Sequence, residues 1–486
     1  MEKTRNVIKR VFTCAAFLLL LAGILSYVNV VLTAKQTTRQ ITPMAMYHDF
    51  YGMEKDTVDV LFLGSSHAYS AYSPQYLYDA FGIRSYNLGS SQQDLTLSYY
   101  WLREALKTQS PGAVVLDTCT FFRWFNDNKT NCEEAFVRKA MDFMKWSPNK
   151  LEAVLELSRL EPEELSLESF FLPNIRYHNR WKELSREDVQ FRDTFVTGQS
   201  KGYSGMYVEK SGKTLDLIVP GSSGEREEFY GPQVPYIHKI VDLCRERDIA
   251  LILVRTPYHF ATEGQYNVLK EFADSEGLPL YDFNEASLYE ETGFDYPVDA
   301  DDNNHCNIWG ARKMTSFIGR VLQEEYKIPS VRDDQYESTR AYYQESLEDA
   351  VLRQAETLSD FLPLLDKDRY ILLAAAGKDD MKEASPQVIR TLEEYGFDLS
   401  DGYEVRLEKG ASGKKSGKFR EDKVPYKVSV SGDEAFISVD GEEKRVSGDG
   451  INFVVYDLTH QSVVERVVFD LSDGRAAGRE LLYVIY

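Results

Sequence analysis

The sequence predicts an α/β fold in which a parallel β-sheet is covered by helices on both faces. Between Asp59 and Tyr326, short apolar runs alternate with segments whose apolar residues recur at helical spacing, and this alternation is typical of parallel sheets. The run Val60–Leu63 is entirely apolar, as expected of a strand buried on both faces. It leads directly into Gly64-Ser65-Ser66-His67. Polar side chains therefore follow the end of a buried strand, where ligands bind in this class of fold.

The other predicted elements follow in chain order. Strands are predicted at Asp59–Leu63, Arg84–Leu88, Val114–Leu116, Ile249–Val254 and Leu278–Tyr281, and helices at Pro74–Phe81, Asp94–Thr108, Tyr236–Arg247, Gln265–Ser275 and Gly310–Tyr326. Between residues 120 and 233 the alternation is lost. We expect this insertion to cover the face at which the strands end, because such segments commonly shape specificity.

The first 35 residues predict a membrane anchor. Four basic residues lie within the first ten positions, and an uncharged stretch of about 24 residues follows, from Val11 to Ala34; about 20 apolar residues span a bilayer. The basic residues favour a cytoplasmic N-terminus, with the remaining chain outside the cell. A cleaved signal peptide is the alternative, but its apolar region is normally shorter and no clear cleavage site precedes Lys35.

The chain beyond the α/β region predicts two further parts. Residues 333–365 are charged and helical, which indicates a connector between domains. Residues 366–486 contain several apolar strand-like runs with turn signals and one amphipathic helix, Pro386–Tyr395. We therefore divide the chain into an anchor (1–35), an α/β domain (36–332, with the insertion at about 120–233), the connector, and a small β-rich α+β domain.

Charge and composition exclude several classes of protein. The net charge of −21 disfavours nucleic acid as a partner. The 43% hydrophobic and 13% aromatic content indicates solid cores rather than disorder. Five cysteines are present, one of them in the anchor; Cys119 and Cys132 could pair, and no Cys-x-x-Cys motif suggests zinc. Sparse cysteines are consistent with the surface of a Gram-positive bacterium.

Ser66 and His305 are the candidate nucleophile and base. A serine hydroxyl needs a base to attack a carbonyl, and Asp302-Asn303-Asn304-His305 supplies a histidine together with a carboxylate to orient it. His305 lies in a polar stretch, whereas a histidine of the core would have apolar neighbours. Ser65 is the competing nucleophile, because the turn after the strand can present either hydroxyl. The pattern predicts the chemistry of a serine hydrolase or acyltransferase.

Asp302 is the predicted orienting carboxylate of this set. Asp299 and Asp301 compete for that role, since both lie close to it in the chain. The same cluster suggests a calcium site, but the glycine and the terminal glutamate of an EF-hand loop are missing at the right offsets. We therefore expect no metal in this loop.

These motifs resemble the sequence blocks of the SGNH/GDSL hydrolase superfamily over residues 55–330. Gly64-Ser65-Ser66 corresponds to the first block and Asp302–His305 to the last. Tyr86–Ser90 resembles the second block, which nominates the Gly89 amide as an oxyanion donor beside that of Ser66. The third block, Gly-x-Asn-Asp, is missing; Val114–Thr118 stands in its place without the asparagine. The resemblance implies a flavodoxin-like sheet, a Ser66–His305–Asp302 triad and no cofactor.

Four further side chains are candidates for substrate binding. His67 follows the candidate nucleophile. It is predicted either to line the acyl pocket or to contact the site residues without touching the substrate. His178, Arg180 and Trp181 lie in the insertion, where they could form a sugar- or anion-binding wall. The alternative for these three residues is that they pack the insertion onto the core.

The overall architecture resembles membrane-anchored SGNH proteins of alginate acetylation and of D-alanyl transfer (DltD). That resemblance implies O-acylation of an extracellular polysaccharide or wall polymer, beside a membrane-bound O-acyltransferase as partner. A carbohydrate O-deacetylase and a non-catalytic polysaccharide-binding scaffold are the alternatives.

The C-terminal region carries a second resemblance. Leu373–Met381 and Gly450–Asp470 resemble two signatures of the interleukin-like EMT inducer (ILEI) domain in permuted order. This resemblance implies a lectin-like C-terminal module.

Overall fold

The structure is a computed structural model of the chain. It describes residues 2–33, 43–123, 129–184, 188–189, 200–205, 208–301, 304–365, 368–407, 411–412, 415–419, 424–446, 448–459 and 462–480.

A five-stranded parallel sheet forms the centre of the α/β region. Its strands are β1 (Val60–Leu63), β2 (Ser85–Asn87), β3 (Ala113–Asp117), β4 (Ala250–Arg255) and β5 (Leu280–Asp282), in the order β2-β1-β3-β4-β5. This is the flavodoxin-like order. The predicted fold class is therefore confirmed.

Helices cover both faces of this sheet because consecutive strand residues point to opposite sides. On one face Leu61 and Leu63 pack with helices α5 (Leu95–Ala105), α7 (Pro148–Leu160), α10 (Val234–Glu246) and α11 (Glu263–Glu276). On the other face Val60 and Phe62 pack with α4 (Pro74–Phe81) and α14 (Ile308–Glu324). Every residue of β1 is buried, as its unbroken apolar run predicts.

The register of the strands aligns their carboxyl ends at one edge. Phe62 pairs with Asn87, Leu63 with Leu116, and Asp117 with Val254. The residues that follow β1, β2, β3 and β4 therefore meet at a single edge of the sheet, where the candidate serine lies.

The remaining helices of the first 365 residues are short, apart from α1 and α16. They are α1 (Glu2–Leu32), α2 (Pro43–Phe50), α3 (Ser66–Ala71), α6 (Glu134–Asp142), α8 (Leu167–Phe171), α9 (Asn174–Tyr177), α12 (Ala286–Thr292), α13 (Tyr296–Asp299), α15 (Asp334–Glu337), α16 (Arg340–Gln354) and α17 (Leu358–Phe361). Short 3-10 turns lie at Cys119–Phe121, His178–Lys182, Gly231–Gln233 and Leu362–Leu364. Within α1, Thr4–Leu32 is long and apolar enough to cross a membrane.

Two antiparallel sheets form the C-terminal part. One contains β6 (Tyr370–Ala375), β7 (Tyr403–Leu407), β8 (Ala411–Ser412), β13 (Ile451–Asp457), β14 (Ser462–Phe469) and β15 (Ala476–Arg479), in the order β15-β14-β13-β6-β7-β8. The other contains β9 (Ser416–Lys418), β10 (Pro425–Ser431), β11 (Glu434–Val439) and β12 (Glu442–Glu443), in the order β12-β11-β10-β9. Helices α18 (Lys378–Glu383) and α19 (Pro386–Glu394) follow β6 in the chain.

A buried arginine joins α16 to the C-terminal strands. The Arg369 guanidinium donates to Asp457 Oδ2 from Nη2 at 2.6 Å and from Nε at 3.1 Å, and to Asp349 Oδ1 at 2.9 Å. Asp457 ends β13 and Asp349 lies on α16, and both carboxylates are buried. Tyr370 also donates to Asp349 Oδ1 at 2.8 Å. One cation therefore neutralises two buried carboxylates from different elements.

We predict that Arg369→Ala lowers the free energy of unfolding by about 3–5 kcal/mol, because the substitution leaves buried carboxylates without their cation. Denaturant unfolding followed by circular dichroism measures this change. Arg390→Ala is the matched control, since Arg390 is exposed on α19. Equal effects of the two substitutions would contradict a role for Arg369 in joining these elements.

Candidate active site

The turn after β1 presents one of its two serines and buries the other. Ser65 is the N-cap of α3: its Oγ accepts from His67 N at 3.3 Å and donates to Asp117 Oδ2 at 2.9 Å. Ser65 is fully buried, whereas Ser66 lines a cavity. Because the Ser65 hydroxyl is already engaged on both sides, the geometry favours Ser66 as the nucleophile.

A glycine allows this tight turn. Gly64 has φ +139°, and a Cβ there would lie 2.5 Å from the Cβ of Asp117. A side chain at this position would therefore force β1 and β3 apart. The close approach lets Asp117 reach the turn and hold Ser65.

His305 reaches the hydroxyl of Ser66. Its Nε2 lies 2.8 Å from Ser66 Oγ, which is hydrogen-bond distance. Two hydrogen bonds between Asp301 and His305 hold the loop that carries this histidine. Asp301 N donates to His305 O at 2.9 Å, and His305 N donates to Asp301 Oδ1 at 2.8 Å. Asn307 then caps α14 by accepting from Trp309 N and Gly310 N. The structure thus brings together the predicted nucleophile and the predicted base.

Asp301 lies beside the other ring nitrogen of this histidine. Its Oδ2 is 3.5 Å from His305 Nδ1, within ion-pair distance. Asp299, by contrast, accepts from Lys313 Nζ at 2.6 Å and from Asp295 N at 2.7 Å. Asp302, the predicted orienting residue, lies outside the described residues, so its role stays a prediction. Among the described aspartates of this loop, Asp301 is placed to orient His305.

The two predicted oxyanion donors differ in their surroundings. Ser66 is the first residue of α3, and the first N–H groups of a helix have no acceptor within it. The Gly89 N–H instead donates to Asn87 Oδ1 at 3.0 Å. A Cβ on Gly89 would lie 3.1 Å from Gly64 O, so this glycine permits close packing of two loops. The structure therefore engages the Gly89 amide with a side chain, whereas the Ser66 amide has no acceptor within its own helix.

Asp117 occupies the position of the missing third block. It ends β3, and its Oδ1 accepts from Cys119 N at 3.2 Å while its Oδ2 holds Ser65. Burial raises the pKa of Asp117 to about 6, and the hydrogen bonds from Ser65 and Cys119 offset only part of that rise. The sequence places Asp117 at the end of a predicted strand, but nothing in the sequence assigns it to Ser65.

The buried ring of His67 lies beside Ser66 and His305. Its Nδ1 lies 2.8 Å from Thr256 Oγ1, and its ring centroid is 5.4 Å from that of His305. Burial, together with the smaller effect of the neighbouring His305, lowers the pKa of His67 to about 3. His67 therefore stays uncharged at neutral pH. Its predicted place at the cavity agrees with this geometry, as it lines the cavity with Ser66.

The cavity above Ser66 has a volume of about 560 Å³. Ser66 and His305 lie on one side, and aromatic side chains form much of the remaining wall. These are Tyr69, Phe122, Phe136, Tyr258 and Phe260, with Ser91, Gln92, Arg123, Gln265 and Asn304 as polar or charged neighbours. The aromatic positions were not identified from the sequence, because Phe122 and Phe136 belong to the insertion and Tyr258 and Phe260 to a loop after β4.

The other three candidates for substrate binding lie away from this cavity. Arg180 Nη1 donates to Leu32 O, at the end of α1, at 2.7 Å, and its Nη2 donates to Asp188 Oδ1 at 3.0 Å. His178 Nδ1 lies 2.8 Å from Ile175 O, and Trp181 is 65% exposed. None of the three lines the cavity around Ser66. The three residues therefore do not form a wall of the cavity at Ser66, because their segment contacts α1 instead; a role in sugar binding stays a prediction.

Within the described ranges, no group of three or more His, Cys, Asp or Glu side chains is arranged to hold a metal ion. The acidic residues near His305 have other partners: Asp299 pairs with Lys313, and Asp301 binds His305.

Comparisons with known proteins include a distant likeness to a solved structure. No family model matches the chain, and no curated protein matches it. Among solved structures, a protein from Desulfitobacterium hafniense described as lipolytic and of the G-D-S-L family is 13% identical, with a TM-score of 0.27. The match covers 54% of this chain and 98% of the other. Likeness at this level carries no argument, so the chemistry rests on the site itself.

We predict that Asp117→Asn changes how stability depends on pH. The native pKa of about 6 exceeds the unfolded value of 3.8, so the native protein binds the proton more tightly than the unfolded chain does. This carboxyl therefore costs stability as pH rises from about 4 to 6, by about 3 kcal/mol in total. In Asp117→Asn this pH-dependent loss of stability is absent, because the amide does not ionise. Denaturant unfolding of both proteins at pH 4, 5, 6 and 7 measures the difference.

If the stability difference between Asp117→Asn and the wild type is constant from pH 4 to 7, Asp117 does not titrate as its burial implies. Asp242→Asn serves as the control, because Asp242 is exposed on α10 and its substitution leaves the buried turn intact.

Proposed function

We propose that the protein is a serine esterase or O-acyltransferase in which Ser66 is the nucleophile and His305 the general base. The observation that carries this proposal is the 2.8 Å distance between Ser66 Oγ and His305 Nε2 at the side of a cavity. A nucleophile within hydrogen-bond reach of a base, which a third group orients, is the arrangement that acyl transfer requires.

The reaction follows from the positions of these groups. His305 Nε2 takes the proton of Ser66 Oγ as the oxygen attacks an ester carbonyl, and the Ser66 N–H donates to the resulting oxyanion. His305 then gives the proton to the leaving alcohol, which leaves an acyl group on Ser66. A water or a sugar hydroxyl, deprotonated by His305, then attacks the acyl carbonyl, and His305 returns the proton to Ser66 Oγ as the bond to the acyl group breaks. Asp301 stabilises the imidazolium that forms in both steps.

The acceptor is an extracellular polysaccharide or wall polymer. An apolar helix of membrane-spanning length near the N-terminus supports a single-pass protein, and the basic residues before it support a cytoplasmic N-terminus with the bulk of the chain outside the cell. In this setting a membrane-bound O-acyltransferase would supply the acyl group. A lectin-like C-terminal module would hold the polymer near Ser66 and raise its effective concentration.

One observation favours a second candidate function, that of a non-catalytic polysaccharide-binding scaffold. The Gly89 N–H is engaged by Asn87 Oδ1, and no asparagine replaces the missing third block. Loss of one oxyanion donor costs about 3–4 kcal/mol of transition-state stabilisation. A scaffold needs no such donor.

We predict that the full chain forms a covalent acetyl adduct with an activated acetyl ester and that Ser66→Ala does not. The substitution should lower ester turnover at least about 10³-fold, because it removes the nucleophile. Stability should change by less than about 1 kcal/mol, since Ser66 lies at a cavity rather than in the core. Intact mass, ester turnover and denaturant unfolding measure these effects.

Ser275→Ala is the control for this experiment, because Ser275 is exposed at the end of α11. Neither adduct nor turnover in the wild type would favour the scaffold. Turnover of acetylated oligosaccharide without preference for a sugar acceptor would indicate a deacetylase.

We predict that Asp301→Asn lowers ester turnover by about 10²–10⁴-fold, because an amide at this position cannot stabilise the imidazolium of His305. Asp302→Asn, measured beside it, tests the competing assignment. A large loss only in Asp302→Asn would make Asp302 the orienting residue. Comparing kcat with KM separates lost catalysis from lost binding, since orientation of the base affects kcat.

A further inference from the structure

An apolar patch surrounds the place where the insertion meets α1. It consists of Trp146, Phe171, Leu172, Ile175 and Trp181, which we call the membrane-proximal patch. Their exposure is high for large apolar side chains: 49% for Phe171, 47% for Ile175 and 65% for Trp181. The Trp146 ring stacks on that of Phe171 with centroids 4.9 Å apart. Contiguous exposed apolar surface of this kind marks an interaction site.

Hydrogen bonds fix the patch to the end of α1. Asn174 N donates to Asn29 Oδ1 at 3.1 Å, and Arg180 Nη1 donates to Leu32 O at 2.7 Å. The second bond satisfies one of the carbonyls that a helix end leaves without an intrahelical donor. Val31 and Leu32 are buried, unlike the rest of the apolar stretch before them. The patch is thus held at the last turn of the candidate membrane helix.

The length of α1 sets the depth of this contact. Its basic residues end at Arg10, and a helix needs about 20 residues at 1.5 Å each to cross a hydrocarbon core of about 30 Å. Counted from Val11, the core ends near Val30. Asn29 and Leu32 therefore lie at the outer boundary of the hydrocarbon core, and the residues bound to them lie at headgroup level.

The side chains of the patch suit that level. Tryptophan is enriched at the boundary between lipid and water, where its ring is apolar and its N–H is hydrated. Lys182 is exposed, and its Nζ lies 5.7 Å from the Trp181 ring. An exposed lysine at such a position keeps its stem in the interface and its ammonium among the headgroups. Lys150 Nζ, 4.7 Å from the Trp146 ring, is buried and instead donates to Met144 O at 2.7 Å.

We propose that the membrane-proximal patch inserts into the outer headgroup region of the bilayer and docks the catalytic sheet on the membrane. This inference rests on the proposed retention of α1 as an anchor. Helix α6 links the patch to the active site: Phe136 lines the cavity, while Arg138 donates to Ser169 O at 3.0 Å and Asp142 accepts from Tyr177 OH at 3.1 Å. Docking therefore holds the cavity close to the membrane surface, where an acyl donor is exported.

Nitroxide labels on the full chain in lipid vesicles test this docking. Single cysteines are introduced by Ile175→Cys and Trp181→Cys in a Cys14→Ser background; the four remaining cysteines are buried. Val219→Cys is the matched control, because Val219 is an apolar residue with 58% exposure on a loop beside β5. The ratio of collision with dissolved oxygen to collision with a water-soluble nickel complex reports immersion in lipid. Melting temperatures verify that each labelled variant is folded.

We expect this ratio to be several-fold higher at positions 175 and 181 than at position 219. Equal ratios at the three positions would overturn the docking and leave the patch to a protein partner. Flotation of carbonate-washed vesicles tests the anchor separately: a wild-type chain that does not float would overturn both the anchor and the docking. Ester turnover on the same vesicles reports on the catalytic proposal independently of either result.

Discussion

The hydrogen bond between Ser65 Oγ and Asp117 Oδ2 determines which of two adjacent hydroxyls remains available to His305. It depends on the close approach of β1 and β3, which in turn depends on the absence of a side chain at Gly64. With Ser65 fixed as an N-cap, α3 must begin at Ser66, and the Ser66 hydroxyl faces His305. The same bond buries a carboxylate whose pKa rises to about 6. The turn therefore combines a precise geometry with a cost in stability, as is common where a structure prepares a reactive group.

Much of the α/β fold could be predicted from the sequence, because its strands are buried on both faces and read as unbroken apolar runs. The approach of Ser66 and His305 could also be predicted, since Ser66 directly follows a buried strand and His305 lies in a polar Asp-x-x-His segment just before a predicted helix. The role of Asp301 could not be decided, because several acidic residues crowd one loop and only the path of the backbone selects among them. Long-range contacts explain the misplacement of Arg180: its partner Leu32 lies 148 residues away, and no local pattern signals that contact.

The insertion serves two surfaces at once. Phe136 and Phe122 contribute to the wall of the cavity, whereas Phe171 and Trp181 are exposed near the end of α1. Arg138 connects these regions, because it lies on the same helix as Phe136 and holds the backbone of α8 through Ser169. Helix α6 also packs in the same core cluster as Leu61 and Leu63 of β1, so the patch, the cavity wall and the sheet are in contact through this helix. This arrangement gives a physical route by which the membrane surface could affect acceptor access.

The charge distribution limits how the protein meets its acceptor. A net charge of −21 repels anionic polymers and anionic lipids at distances up to about the Debye length of 8–10 Å. Binding to either must therefore come from short-range contacts, which act only once the surfaces touch. Covalent continuity with a membrane helix supplies such proximity without an attractive long-range field. Under the proposed function and docking, anchoring would thus substitute for electrostatic steering, and an apolar contact with the headgroup region would add orientation that charge alone opposes.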